Sequence, residues 1–324
     1  MFVRSINIQG FRGINNCKEI IKLSNFTVII GRNNSGKSAI LEALSLLPHP
    51  ELSDIISRTK KIRYLRELHH DGILKKLLYL YAGTARLEYI INYNNADRRI
   101  KIEFDQDNIE CNFEGSGNAG IKYAQSRLNM NQKYLEQSVV FIPDTTNILV
   151  ALEARMNYYK ELIMKEGHHI YLAEFLNKFV NDEYSELVFL TPISLRKILK
   201  DNKVYLPIND LGSGAEKVIK VMALLKVISP KLVIIDDFES GFHPSLMNLF
   251  LEWLKNEKWQ TIISTHSIDV LNRLVDINPE QAKIIKLNKS KDDVLSHESL
   301  TLEELEDILN ANIDPRKLGD ALGL

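Results

Sequence analysis

Apolar and polar positions alternate in three successive stretches in the first half of the chain. Ala85, Leu87, Tyr89, Ile91 and Tyr93 alternate with polar residues at most steps. Ile100, Ile102 and Phe104 alternate with Lys101 and Glu103, and Ile109, Cys111 and Phe113 with Glu110 and Asn112. A period of two puts the apolar side chains on one face, so the pattern predicts an antiparallel meander with one wet side. The breaks Asn94-Asn95-Ala96-Asp97 and Asp105-Gln106-Asp107-Asn108 have turn composition. At the N-terminus Phe2, Ile6 and Ile8 suit a strand, residues 18–24 suit a second, and Gly10-Phe11-Arg12-Gly13 forms a turn between them.

A different pattern appears in short, continuously apolar runs: Phe26–Ile30, Ser138–Ile142 (ended by Pro143), Leu232–Ile235, Thr261–Ile263 and residues 281–287, which suit a last core strand. Such runs suit strands buried on both faces. Helical spacing occurs in Ala39, Ile40, Ala43, Leu44 and Leu47. It recurs in Leu149–Lys165 and His169–Asn181, split by Glu166-Gly167, and in a run from the Ser213 region through Ile228. Thr301-Leu302-Glu303-Glu304 is a capping box opening an acidic helix, and residues 315–324 suit a tail packed by Leu318 and Leu322.

The chemistry sits where the buried runs end. Phe26–Ile30 feeds Gly31-Arg32-Asn33-Asn34-Ser35-Gly36-Lys37-Ser38, which reads G-x-x-x-x-G-K-S, and a helical run leaves it. Strand, glycine loop and helix together define a phosphate-binding P-loop. Backbone N–H groups of such a loop wrap phosphates, Lys37 reaches the β- and γ-phosphates, and the Ser38 hydroxyl suits Mg²⁺. Leu232–Ile235 ends in Asp236-Asp237. Asp236 suits the Mg²⁺ through water, and Asp237 suits orienting or deprotonating an attacking water. Thr261-Ile262-Ile263 runs into Ser264-Thr265-His266, where the histidine is either structural or a γ-phosphate sensor. Ser213-Gly214 precedes an apolar helix and reads either as a plain N-cap or as an anion contact. Arg12 reads equally as a solvated turn residue or a nucleotide contact. Residues 57–78 hold Arg58, Lys60, Lys61, Arg63, Arg66, Lys75 and Lys76 against Glu67 and Asp71. That segment predicts one or two amphipathic helices whose cationic side is a solvated face or a phosphate-backbone patch.

Composition narrows the classes. The chain of 324 residues has 45% hydrophobic and 26% charged residues and a net charge of -1, ordinary for a globular protein and unlike a globally basic nucleic-acid binder. No apolar stretch approaches a membrane span, and the N-terminus lacks a signal-peptide pattern. Cys17 and Cys111 are too few for a disulfide framework or zinc site. The adjacent pairs His69-His70 and His168-His169 do not share a helix face. A reducing, cytoplasmic location is expected.

Taken in order, Phe11-Arg12-Gly13, the Gly31–Ser38 loop, Ser213-Gly214, Asp236-Asp237, Glu239…His243-Pro244 and His266 resemble the motif set of the ABC-type ATPases. The resemblance is to the branch with the structural-maintenance-of-chromosomes (SMC) heads, the RecF-like repair ATPases and the overcoming-lysogenization-defect (OLD) proteins, of AAA_15/AAA_21 type. It implies an α/β P-loop NTPase with an ABC-type mixed sheet, an antiparallel meander and an inserted helical subdomain. The core would be 1–142 and 203–324, with insertions at 57–78 and 84–113 and a helical subdomain at 143–202. It implies ATP and Mg²⁺ as ligands, with Arg12, Gly31, Arg32, Asn33, Asn34, Ser35, Gly36, Lys37 and Ser38 on the nucleotide. Ser38 and Asp236 would hold the metal, and Asp237, Glu239 and His266 would serve catalysis. Two copies would pack head to tail, with Ser213 and Gly214 acting on the partner's γ-phosphate, and the cycle would drive a DNA-related process of repair or defence. DNA at residues 57–78 and a separate nuclease or effector subunit are the implied partners.

Three positions depart from that pattern. Ala215 stands where a second glycine is usual, and its methyl is expected to crowd the phosphate approach. Asp237 stands where a glutamate is usual, which leaves the base about 1.5 Å short. No glutamine follows Ile142 in the place of a Q-loop. The segment after Asp237 is too short for the Toprim nuclease of OLD proteins, so no intrinsic nuclease is expected. The alternatives are an ATP-gated clamp without turnover, and a transporter's nucleotide-binding subunit.

Overall fold

The computed structural model describes residues 2–69, 73–114, 117–180, 182–199 and 202–317. The expected packing of Leu318 and Leu322 lies outside the described residues.

The strands, in chain order, are β1 (Val3–Phe11), β2 (Ile14–Cys17), β3 (Ile21–Lys22), β4 (Phe26–Gly31), β5 (Ala85–Tyr93), β6 (Ala96–Phe104), β7 (Ile109–Phe113), β8 (Val139–Ile142), β9 (Tyr184–Val188), β10 (Ser194–Leu199), β11 (Asn202–Pro207), β12 (Leu232–Ile235), β13 (Gln260–Ser264), β14 (Ala282–Lys289) and β15 (Val294–Leu300). Two compact units divide them. One comprises Met1–Pro143, Pro230–Phe238 and Glu257–Leu324; the other comprises Asp144–Ser229 and Glu239–Asn256.

The first unit is built on a mixed sheet of twelve strands among the described residues, in the order β7-β6-β5-β1-β2-β15-β14-β4-β13-β12-β8, with β3 also paired to β1. Its centre is parallel. β4 lies between β13 and β14, and β12 lies between β13 and β8, all running the same way. β4, β8, β12 and β13 are buried at every residue, as their unbroken apolar runs require. The meander occupies one side of the sheet, with β5, β6 and β7 antiparallel and β5 joined to β1. Leu87, Tyr89, Ile91, Ile100, Ile102, Cys111 and Phe113 face the core, as the alternation dictates.

Two polar side chains fasten these parts. Tyr89 lies in the meander, yet its hydroxyl donates to the Ala43 carbonyl of the P-loop helix at 2.7 Å. Buried Gln260, opening β13, accepts from the Val3 N–H at 2.7 Å and donates to the carbonyls of Val3 and Ser24 at 2.7 and 2.9 Å. A buried amide with its donors and acceptor engaged avoids a desolvation cost of several kcal/mol and fixes the first strand against the central one, roughly.

Local expectations are corrected in four places. Residues 18–24 are not one strand, because the pairing is shared between Ile14–Cys17 and the two-residue Ile21–Lys22. β6 begins at Ala96, so the first hairpin turns on Asn94 and Asn95 alone, both at positive φ. β14 is not last in the core: β15 pairs antiparallel to it. Residues 57–78 hold one helix, within the expected one or two, at Lys61–Leu68, followed by 3₁₀ turns at Leu74–Leu77 and Tyr79–Tyr81, and the correction there is a single residue. Lys61 leaves the cationic face altogether. It is 2% exposed, donates to the Leu47 carbonyl, and burial lowers its pKa to about 8.

The second unit holds helices Ile148–Tyr158, Lys160–Lys165, His168–Asn177, Ser213–Ile228 and Pro244–Lys255, with an antiparallel sheet in the order β11-β10-β9. Its span of 144–229 and 239–256 is wider than 143–202. Helix Ser213–Ile228 is apolar on nearly every side and buried along most of its length. Lys220 on it is 1% exposed and bonds Glu216 at 2.5 Å and Glu153 at 2.6 Å.

Candidate phosphate-binding cleft

Three neighbouring parallel strands end at one place in the first unit. β4 ends in Gly31, β13 in Ser264, and β12 leads directly into Asp236 and Asp237. In open α/β sheets the crevice beyond the carboxyl ends of such strands is where ligands bind. A cleft of about 690 Å³ lies there, lined by Arg12, Gly13, Asn33–Ala39, Asp237, His266 and Lys289. Its size is within the usual range for small-molecule sites.

The loop's shape depends on two glycines. A Cβ on Gly31 would fall 2.6 Å from the Ser35 hydroxyl and 2.8 Å from the Leu287 carbonyl oxygen. Gly36 stands at φ +99° as the N-cap of helix Lys37–Ser45. Larger residues there would open the ring of N–H groups that the helix start presents. Lys37 is 5% exposed and folds back to donate to the carbonyls of Gly31 and Arg32, both at 3.0 Å. The Ser35 hydroxyl is buried and has no hydrogen-bond partner among the described residues. A buried hydroxyl without a partner inside a glycine cradle suits an anion with many acceptor oxygens, so these residues fit a bound polyphosphate.

Asp236 and Asp237 are neighbours with opposite surroundings. Asp236 is 9% exposed, accepts from Ser264 Oγ at 2.5 Å and is also hydrogen-bonded by Ser38. Burial raises its carboxyl above the ordinary range, opposed by those two hydroxyls. One buried carboxylate beside one serine hydroxyl is an all-oxygen donor pair, which fits Mg²⁺ completed by water and phosphate oxygens. Asp237 turns the other way, at φ 42°, with its N–H donating to Ser264 Oγ at 2.8 Å. That turn points its carboxylate into the cleft, 3.5 Å from His266 Nε2. Backbone in this region is costly for an aspartate and is characteristic of functional turns. The His266 carbonyl accepts from Arg316, which is itself held by Asp314.

Arg12 lines the cleft and is tied to the P-loop helix. Its Nε lies 3.0 Å from Glu42 Oε2, and His69 Nε2 lies 3.1 Å from the other oxygen of that carboxylate. Glu42 follows Ser38 by one helical turn and is 5% exposed. Lys289 also lines the cleft, although no motif in the sequence marks it. It donates to the Gly13 carbonyl at 3.1 Å and pairs with Asp293 at 2.7 Å. Its position follows from register: β14 pairs Leu287 with Gly31, so Lys289 is two residues beyond on the same face. A cation ending a mostly apolar strand was the available signal.

Glu239, Ser213 and Gly214 belong to the second unit. Ser213 is exposed at the start of its helix and Gly214 is buried. A Cβ on Gly214 would fall 2.2 Å from the Gly241 carbonyl oxygen, so glycine is required there for packing. Ala215 is 3% exposed, which turns its methyl into the unit's interior and away from any surface ligand. Glu239 is half-buried, and its carbonyl accepts from the Phe242 N–H at 3.0 Å.

Residues 26–272 match the family described as "AAA domain, putative AbiEii toxin, Type IV TA system", AAA_21. The chain belongs to this family. It is a P-loop ATPase of the AAA/ABC type. A protein named "ATP/GTP phosphatase" from Helicobacter pylori is 24% identical, covering 84% of this chain and 88% of that one. An SMC head solved with the C-winged helix domain of ScpA has the same fold at a TM-score of 0.66 and 16% identity, covering 94% of this chain and 99% of that one. The recombination mediator protein RecF matches at a TM-score of 0.51 and 11% identity, covering 91% and 97%. Among the described residues no helix is long and apolar enough to cross a membrane.

Proposed function

We propose that this ATPase binds Mg·ATP in the Gly31–Ser38 cleft and hydrolyses it in a head-to-tail dimer. The observation that carries this reading is the convergence of Lys37, Ser38, Asp237 and His266 on one cleft, with Asp236 bonded directly behind Ser38. Mg²⁺, when bound, neutralises developing phosphate charge and fixes the phosphate geometry. Lys37 exchanges its loop carbonyls for phosphate oxygens. The loop N–H groups and Ser35 Oγ donate to the same oxygens. Asp237, half-buried in the cleft, orients the attacking water and takes its proton, and His266 at 3.5 Å steadies that carboxylate.

The dimer half of the proposal rests on Ser213. It is presented, exposed, at the positive end of a long helix whose neighbours are buried. In this reading Ser213 and Gly214 complete the partner copy's site. The process served is DNA-directed, which is supported by the shared fold with SMC heads and RecF and by the exposed Arg58, Lys60, Arg63 and Lys75.

The test is steady-state phosphate release with and without duplex DNA, alongside mass by light scattering with and without Mg·ATP. ATP-dependent doubling of mass and turnover that requires Ser213 are expected. Turnover by a strict monomer would remove the dimer mechanism and leave the P-loop chemistry standing.

A further inference from the structure

Beside the phosphate cleft lies a second recess of about 300 Å³, lined by Arg12, Gly13, Asn34, Lys76, Leu78, Tyr79, Leu80, Tyr81, Lys289 and Asp293. Four of these, Arg12, Gly13, Asn34 and Lys289, also line the phosphate cleft, so the two spaces are neighbours that share a wall. The new wall is the segment Leu78–Tyr81. Leu80 is 72% and Tyr81 58% exposed, and both stand at positive φ, 48° and 63°. Large apolar side chains exposed on consecutive left-handed residues are uncommon, and such backbone persists where surrounding structure imposes it.

The surroundings here do impose it. The Arg12 N–H donates to the Leu77 carbonyl at 2.8 Å, and Phe11 bridges to Leu78. The Tyr81 N–H closes onto the Leu78 carbonyl at 3.1 Å. The segment is therefore pinned to the same turn that carries Arg12 into the phosphate cleft. The Lys76 ammonium lies 5.1 Å from the centre of the Tyr81 ring. A cation over one face makes the ring a held platform.

We infer that Leu80 and Tyr81 form the platform for the nucleobase of the nucleotide whose phosphates the P-loop holds, and that this platform accepts adenine and guanine alike. The inference rests on the nucleotide reading above. A ring and an isobutyl group offer a base its preferred partners, a π face and an apolar edge, with no reading of its donors and acceptors. Asp293, the carboxylate lining the recess among the described residues, gives one oxygen to the Tyr79 hydroxyl at 3.1 Å and the other to Lys289 at 2.7 Å. It is thus committed within the wall and does not select a guanine edge.

The experiment is titration calorimetry on the full chain with three probes in excess Mg²⁺: ATP, GTP and inorganic tripolyphosphate. In the unaltered protein ATP and GTP bind within a few-fold of each other and both more tightly than tripolyphosphate. Tyr81→Ala and Leu80→Ala each weaken both nucleotides by about tenfold, the size of one lost stacking contact, and leave tripolyphosphate unchanged. Tyr81→Phe retains nucleotide affinity. Circular dichroism checks that these exposed substitutions leave the fold intact. Equal affinity for ATP and tripolyphosphate in the unaltered protein overturns the platform, as does an unchanged nucleotide affinity in both alanine variants. A tenfold preference for one purine overturns its tolerance. If tripolyphosphate and both nucleotides all fail to bind, the phosphate reading itself falls and the platform falls with it.

Discussion

The P-loop cleft and the start of helix Ser213–Ile228 are both built around a helix N-terminus, yet on opposite plans. The first is a container. Gly31, Ser35 and Lys37 are folded inward, two hydroxyls and a buried carboxylate stand behind them, and strand ends from the parallel centre of the mixed sheet fix every part. The second is a presented tip. Ser213 is exposed, while the residues immediately after it are locked by packing: Gly214 against the Gly241 carbonyl, Ala215 in the interior, and Glu216 and Lys220 paired to each other. A container binds by itself. A single exposed serine on a rigid helix cannot enclose a phosphate, and such rigidity is useful for completing a site whose other walls lie on another surface. The contrast therefore says which half should govern affinity and which should govern turnover.

The largest effect expected from that contrast is on the container. Lys37→Ala should lower phosphate release by about 100- to 1,000-fold, the range for losing one preorganised charge donor, and should weaken nucleotide binding as well. Equilibrium binding and steady-state assays check both. Binding that survives with full affinity would mean that the lysine's bonds to Gly31 and Arg32 are structural only.

Next comes the tip. Ser213→Ala should lower turnover by about 10- to 100-fold while leaving the affinity for Mg·tripolyphosphate unchanged. Mixing the Lys37→Ala and Ser213→Ala proteins should restore part of the activity, because one composite site in a mixed dimer is intact. No recovery on mixing would place both roles within one chain.

The two regions also differ in how much of them could be read in advance. The container was legible because its signal is local: an apolar strand, eight loop residues and an amphipathic helix are contiguous, so the chain itself carries the geometry. The Asp236-Asp237 and Ser264–His266 tips were legible for the same reason, as polar residues ending buried runs. What escaped depends on register and long-range contact. Lys289 reaches the cleft only because β14 pairs beside β4, and Glu42 looked like any helix glutamate until Arg12 and His69 met it. The crowding expected from Ala215 was misplaced, since spacing in a motif does not reveal which way a methyl points. Lys61 was counted with the basic face because the helical pattern there is short and the burial is imposed by the loop around Leu47. The Leu78–Tyr81 turn has no sequence signature, as its left-handed residues are held there by the neighbouring hairpin.

A smaller effect tests the rigidity of the tip. Lys220→Met removes the cation from between Glu216 and Glu153 and leaves a buried carboxylate uncompensated, a change that typically costs about 3–5 kcal/mol. The melting temperature should fall, and turnover should fall with it, while Mg·tripolyphosphate still binds at a temperature where the chain stays folded. The double variant Lys220→Met with Glu216→Gln should recover part of the stability. If the single variant melts like the unaltered protein, the buried cluster is not what holds the helix start in place.

The smallest effect is expected from lengthening Asp237, the acid that lines the cleft among the described residues. Asp237→Glu extends the carboxylate by one methylene, about 1.5 Å, without changing its charge. If the reach of the base limits the reaction, turnover rises several-fold and nucleotide affinity does not move. Asp237→Asn removes the proton acceptor while keeping the length, so it should abolish turnover and accumulate the ATP-bound dimer seen as doubled mass. These two substitutions separate reach from basicity at one residue. An Asn variant that still turns over would assign the proton to another group, and because His266 lies 3.5 Å from Asp237, His266→Ala in that background is the decisive follow-up. Loss of the residual activity there would make the histidine the proton acceptor, and its persistence would leave positioning by the container, with no general base, as the source of the rate.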